Sequence, residues 1–175
     1  MKKFIFVMLI GLLVGTAAFA DHPDGLGIGI VGGGGWNSFG YGSAGLSLKV
    51  GGIPVFWGIY FPIMSEYVTS VGVSGDYYFF DSNLIAQDMT NEEGTYKLKL
   101  DWYLGLGGFV TSFFYKGGSA FDLGLRVPLG LSWHIIKQLE LFFGIVPGLG
   151  FFVGGEGYGG FHFAGTGELG LRLWL

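Results

Sequence analysis

Residues 96–107, YKLKLDWYLGLG, carry an apolar side chain at every second position: Tyr96, Leu98, Leu100, Trp102, Leu104 and Leu106. Lys97, Lys99, Asp101, Tyr103, Gly105 and Gly107 fill the alternate places. Successive side chains of a strand point to opposite faces, so this stretch predicts a strand over 96–106 with one oily and one charged face. Seven further stretches behave alike: 26–32, 43–50, 53–61, 71–80, 121–134, 139–149 and 161–175. In 121–134, Phe121, Leu123, Leu125, Val127, Leu129, Leu131 and Trp133 oppose Asp122, Gly124, Arg126, Pro128, Gly130, Ser132 and His134. In 71–80, Val71, Val73, Tyr77 and Phe79 oppose Ser74, Asp76, Tyr78 and Phe80. Only 53–61 is apolar on both faces and leaves its register open. Pro128 and Pro147 lie inside paired strands, where each removes a ladder hydrogen bond, so a bulge or bend is expected at each.

The charges decide what each face meets. The non-oily face carries Lys49, Lys97, Lys99, Arg126 and Arg172 together with Asp76, Asp101, Asp122, Glu140 and Glu168, five bases against five acids. A soluble ligand-binding barrel puts its apolar face inside and covers its outside with charge. Here the oily face is nearly unbroken Leu, Ile, Val and Phe, which suits lipid, with the polar face lining a lumen.

Composition supports the inversion. Charged residues are 13% of the chain, against about 25% in ordinary soluble domains, so too few polar groups exist to cover a soluble surface. Lys2 and Lys3, the apolar run 4–15 and the small residues 18–20 read as a signal peptide over 1–20, cut after Ala20. Beyond it no run of about 18 apolar residues offers a spanning helix. A hydrophobic chain without such a helix can still satisfy its backbone in lipid as a closed barrel. The expected fold is therefore all-β: an eight-stranded, antiparallel, up-and-down transmembrane barrel over 21–175. The mature chain carries 7 Lys and Arg against 13 Asp and Glu, a net charge of −6, which disfavours nucleic acid. There is no Cys, hence no lipid-attachment cysteine, disulfide or thiolate metal site.

With both termini on the periplasmic side, turns are expected at 51–52, 81–95 and 135–138. The segments 33–42, 62–70, 108–118 and 152–160 then face outward as candidate loops for external ligands or host proteins. The segment 81–95 is too long and too acidic for an ordinary periplasmic turn. Aromatic residues at Tyr77 to Phe80, Trp133, Phe151, Phe152, Phe161 and Trp174 suggest interfacial girdles. Reflecting the hairpins about their turns places Asp76 near Lys99 and Asp101, and Asp101 near Arg126. An eight-stranded barrel is only wide enough for its own side chains, so this charge network should plug the lumen.

Three motifs invite a chemical reading. Gly27-x-Gly29-x-x-Gly32 matches a dinucleotide fingerprint but lacks the following helix, so strand glycines are the better reading. Ser132, His134 and Glu140 could form a nucleophile, base and orienting carboxylate, but a lipid-modifying enzyme must reach lipid and these lie inside. His162 has no ligand-spaced partner for a metal. The echo of DLGLR (122–126) and ELGLR (168–172) sets acid and Arg four apart, about 13 Å along a strand, so they should bridge neighbouring strands. Neither cofactor nor catalytic residue is expected.

The last residues, ELGLRLWL, place Glu168, Gly170, Leu173 and Leu175 in a pattern that resembles the C-terminal assembly signal of outer-membrane barrels, read by the barrel-insertion machinery through strand addition. The family pattern usually ends in Phe or Trp, and Leu175 departs from it. More widely, LGIGIVGG, GLSLKV, DWYLGLGGF, LGLRVPLGLSW and LELFFGIVPGLGFF resemble a family of small spirochaete outer-membrane barrels. That family is similar to the OmpA transmembrane domain and, more distantly, to OmpW. The resemblance implies a monomeric eight-stranded barrel in outer-membrane lipid with variable surface loops and no catalytic residues. The expected role is envelope structure and surface interaction. A narrow OmpW-like channel for small apolar solutes is the alternative, and a lipid-modifying enzyme a more remote one.

Overall fold

The computed structural model describes residues 25–36, 42–51, 53–63, 68–91, 94–154 and 159–175, with backbone alone at 36, 88–91 and 94–98. The expected leader over 1–20 lies outside the described residues, as does the side chain of Lys97. Nine segments are formed: β1 (Gly27–Trp36), β2 (Gly42–Lys49), β3 (Val55–Ile63), β4 (Val68–Asn91), β5 (Gly94–Tyr115), β6 (Gly118–Arg126), β7 (Leu129–Ile136), β8 (Leu139–Val153) and β9 (Gly159–Trp174). All pairings are antiparallel. β6 and β7 are successive halves of one strand, since both pair with β5 on one side and β8 on the other. β9 pairs with β1, so eight strands close into a ring.

Closure fixes the stagger. Stepping straight across the ladders from Lys99 leads through His134, Glu140, Arg172, Gly29, Ser47, Gly58 and Ser74 to Phe109. One circuit thus climbs 109 − 99 = 10 residues along β5. Ten rises of about 3.3 Å set against eight spacings of about 4.8 Å tilt the strands by about 40°. That is the tilt expected of a small membrane barrel.

The faces follow the expected alternation. Ile30, Leu125, Leu169 and Phe163 are 62%, 60%, 58% and 67% exposed, whereas Asp101, Ser132 and Glu140 are fully buried. The uncertain stretch 53–61 turns Trp57, Ile59 and Phe61 outward and Phe56 inward.

Several expectations need correction. The segment 81–95 is no loop: β4 runs to Asn91 and β5 begins at Gly94. β4 pairs with β3 only as far as Tyr77, and β5 with β7 only as far as Lys99. The end of the hairpin, Gln87–Asn91 against Gly94–Leu98, pairs only within itself, as a ribbon at the end of the barrel that holds the C-terminus. The segment 108–118 is likewise mostly strand. Its turn is Lys116–Gly117, where Gly117 has φ +104°, a conformation that favours glycine. The segments 33–42, 62–70 and 152–160 also lose residues to β1, β2, β3, β4, β8 and β9.

The prolines cause no bulge. Register sums across β6/β7 and β8 are the same on both sides of the break, 126 + 148 = 129 + 145. Val127 donates its N–H to the Pro147 carbonyl at 2.9 Å, and Gly105 donates to the Pro128 carbonyl at 2.8 Å. The ladder skips the bonds the prolines cannot make and continues in register. Register shifts occur elsewhere: between Tyr78 and Phe80, between Asn83 and Ile85, and between His134 and Ile136. The first inserts Phe79 and swaps the faces below it. Phe80, expected inside, stacks on Trp102 at 5.8 Å, and Asp81 is buried at 2% exposure. The expected girdle is partial. Trp133, Phe151 and Phe161 are exposed, but Trp174 is buried, Tyr78 stacks between Phe56 and Tyr103, and Phe152 packs on Phe113.

Candidate functional site in the lumen

Near the chain termini, alternation delivers Glu140, just after the β7–β8 turn, and Arg172, on the final strand, to the same level of the ladder. Arg172 Nη1 donates to both Glu140 oxygens, at 2.9 and 2.8 Å, and Nη2 donates to Ser47 Oγ at 2.8 Å. Ser132 Oγ and Trp174 Nε1 each donate 2.7 Å bonds to Glu140. The guanidinium carbon lies 4.6 Å from the ring centres of both Phe56 and Phe142. A planar cation gripped by two rings and a bidentate carboxylate is strongly oriented. Gly27 and Gly29 clear the space, because a Cβ on Gly27 would strike the Arg172 side chain and one on Gly29 the backbone of Leu171 and Arg172. These glycines of the apparent dinucleotide fingerprint therefore make room for an arginine.

Beside this pair, Lys99 Nζ lies 3.3 Å and His134 Nδ1 3.4 Å from Asp101 Oδ2. Lys49 Nζ lies 5.9 Å from the Phe56 ring centre. Phe56, Tyr78 and Tyr103 stack with centroid separations of 4.2 and 4.6 Å. This stack and the Arg172 cluster fill the lower lumen.

Higher in the barrel, Arg126 Nε meets Asp76 Oδ1 at 3.0 Å and Nη2 meets Glu168 Oε1 at 2.9 Å. Its guanidinium lies 5.5 Å from the Tyr60 ring centre. Glu168 is two strands away from Arg126. The bridge passes over β8, where Gly148 faces Arg126 and Gly144 faces Glu168 on the ladders. Between the Arg126 and Arg172 clusters the remaining void is about 10 Å³, bordered by Phe56, Asp76, Tyr78, Phe142, Glu168 and Arg172. Such a space holds at most about one water.

Above Arg126 the lumen opens into a chamber of about 160 Å³. Arg126, Glu168, Thr166 and Asp122 supply polar groups, and Phe109 and Val146 supply apolar wall. Asp122 Oδ1 and His162 Nε2 are 2.8 Å apart.

The partners of the inner-face charges differ from those expected. Asp76 lies opposite Gly107 on the ladder, not beside Lys99 or Asp101, and binds Arg126. Asp101 lies opposite Ser132, not Arg126. Reflection about 81–95 and 108–118 misplaced the hairpins, whose last pairs are Asn91 with Gly94 and Tyr115 with Gly118, and so displaced each partner along the strand. The echoed acid–Arg motifs behave unequally: Arg172 bridges to neighbouring β8, whereas Arg126 reaches past it to β9. His162, expected alone, faces Asp122. Ser132, His134 and Glu140 form no nucleophile–base set, because Ser132 donates to Glu140 while His134 faces Asp101, and Ser132 is fully buried. Among the described residues, no three His, Asp or Glu side chains are grouped to hold a metal. Asp81 and Trp174 were missed as lumen residues, and Tyr78, Tyr103 and Phe142 were given no part in filling it. The alternation signalled the faces of Tyr78, Tyr103 and Phe142, while Asp81 depends on the Phe79 bulge.

The C-terminal residues join ends to function. Glu168 belongs to the Arg126 cluster, and a Cβ on Gly170 would meet the Phe142 ring. Leu173 and Leu175 face outward at 55% and 77% exposure. Leu175 and Leu26 exchange backbone hydrogen bonds of 2.8 and 3.3 Å, extending the pairing that shuts the barrel.

No protein-family model matches the chain, and no curated protein matches it. Among solved structures, Neisserial surface protein A (NspA) is similar over 86% of this chain and 96% of its own, at 15% identity and a TM-score of 0.46. The barrel assignment rests on the closed ladder itself.

Proposed function

We propose that this chain is a small, monomeric, non-enzymatic outer-membrane barrel with roles in envelope structure and surface interaction. The observation that carries the reading is the inverted sidedness of a closed barrel. A belt of Leu, Ile, Val and Phe lies outside and a buried, paired set of charges lies inside. Buried pairs of this kind suit a plugged lumen rather than a pore. Export by a leader over 1–20, recognition of Glu168, Gly170, Leu173 and Leu175 by the barrel-insertion machinery, and kinship with spirochaete, OmpA-like and OmpW-like barrels belong to the same proposal. External ligands or host proteins would meet the segments joining strands at the end that holds the Lys116–Gly117 turn.

A second reading, a narrow channel for small apolar solutes, draws support from the Phe109 and Val146 wall of the chamber. Planar-bilayer conductance of the refolded protein separates the two. The plugged barrel passes no steady current, and a Phe56→Ala, Tyr103→Ala variant does. A wild type that conducts like an open pore overturns the primary reading.

A further inference from the structure

We propose that the upper-lumen chamber is a binding site for a small organic cation, an alkylammonium or alkylguanidinium of about five to eight heavy atoms. The inference rests on the barrel fold and not on the role proposed above.

Charge is the first argument. The described lumen residues below the Arg126 level balance in number, Lys49, Lys99 and Arg172 against Asp81, Asp101 and Glu140, with Lys99 paired to Asp101 and Arg172 to Glu140. Among the described lumen residues at and above that level stand three carboxylates, Asp76, Glu168 and Asp122, against one guanidinium. Arg126 is already held by two of them, at 3.0 and 2.9 Å. The third, Asp122, is apart from Arg126's two ion pairs and has His162 Nε2 at 2.8 Å. Around the chamber carboxylates thus outnumber the guanidinium three to one, which favours a cation in a space bounded by protein.

Shape is the second argument. A space of about 160 Å³ is of the size that admits a benzene-sized guest, and only about one water separates its floor from the plug. The plug provides a floor, so a guest stops here. Phe109, Phe113 and Tyr60 line the chamber. Aromatic faces attract cations and also accept an alkyl chain, so an ammonium on a short chain matches both wall types. An anion would meet three carboxylates, and a neutral solute would gain nothing from their charge.

The test uses the isotope-labelled full chain refolded in uncharged detergent micelles. n-Butylammonium, n-butanol and butyrate are titrated in parallel, with amide shifts read at Thr111, Ala164 and Thr166 and, as references, at Gly29 and Ser132. Butylammonium should shift the chamber amides saturably, with a Kd on the order of millimolar for so small a ligand. Asp122→Asn and Glu168→Gln should each weaken it about tenfold. Butanol should bind more weakly, and butyrate should leave the chamber amides unmoved. Butanol binding as tightly as butylammonium, no saturation with butylammonium, or affinity unchanged in both variants overturns the proposal. If Glu168→Gln moves the reference amides, Asp122→Asn alone decides.

Discussion

The two halves of the lumen use the same residue types to opposite ends. Below, Arg172 has a bidentate carboxylate, a serine and two aromatic faces, and almost no space is left around it. Above, Arg126 has two carboxylates and one ring, and a chamber lies over it. The difference comes from the neighbours. Phe56, Phe142, Tyr78 and Tyr103 point into the lower lumen, whereas Gly148, Ala164 and Gly72 line the upper one. A cation packed by rings makes a plug, and a cation flanked by small residues leaves a cavity. Charge pairing alone therefore does not make a plug; side-chain volume decides.

Three changes probe this contrast. Arg172→Ala should have the largest effect, because it strands Glu140 at zero exposure. A loss of about 3–5 kcal/mol is expected in urea unfolding followed by tryptophan fluorescence. The paired exchange Glu140→Leu, Arg172→Met should recover most of it, since an apolar pair leaves no orphaned charge. Arg126→Ala should cost less than Arg172→Ala, about 1–3 kcal/mol, because water from the chamber can reach Asp76 and Glu168. Equal losses at the two arginines would end the distinction between plug and chamber. Pro147→Ala should have the smallest effect. It restores an N–H opposite Val127 and should stabilise by about 0.5–1 kcal/mol, with the new amide protected in hydrogen exchange.

How much of this could be read from residues alone varies by feature. Strand faces in 121–134, and in 161–175 apart from Trp174, were legible, because alternation is a local property. The ambiguous stretch 53–61 became legible only as β3, between β2 and β4, where Phe56 meets Arg172 and Tyr78. The long hairpin was misjudged because DSNLIAQDMTNEEGT has the composition of a turn. Its strands are held by each other's backbone bonds, to which composition is blind. The prolines misled in the opposite sense. A proline argues against regular pairing, yet here both sit at one level of the ladder and remove bonds without altering register.

By itself the sequence determined, along the regularly alternating strands, which side chains face outward and which face the lumen, since a strand's period of two is set by the chain's own geometry. It also placed acids and bases on the inner face. Only the tertiary structure decided who meets whom. Partners depend on where each hairpin turns and on the ten-residue stagger of closure. Shifting a hairpin's turn by a whole residue moves every opposing partner by two and leaves each face unchanged. Lys99 and Asp101, inner-face residues of YKLKLDWYLGLG, kept their predicted side, but Asp101 met Lys99 and His134 rather than Arg126.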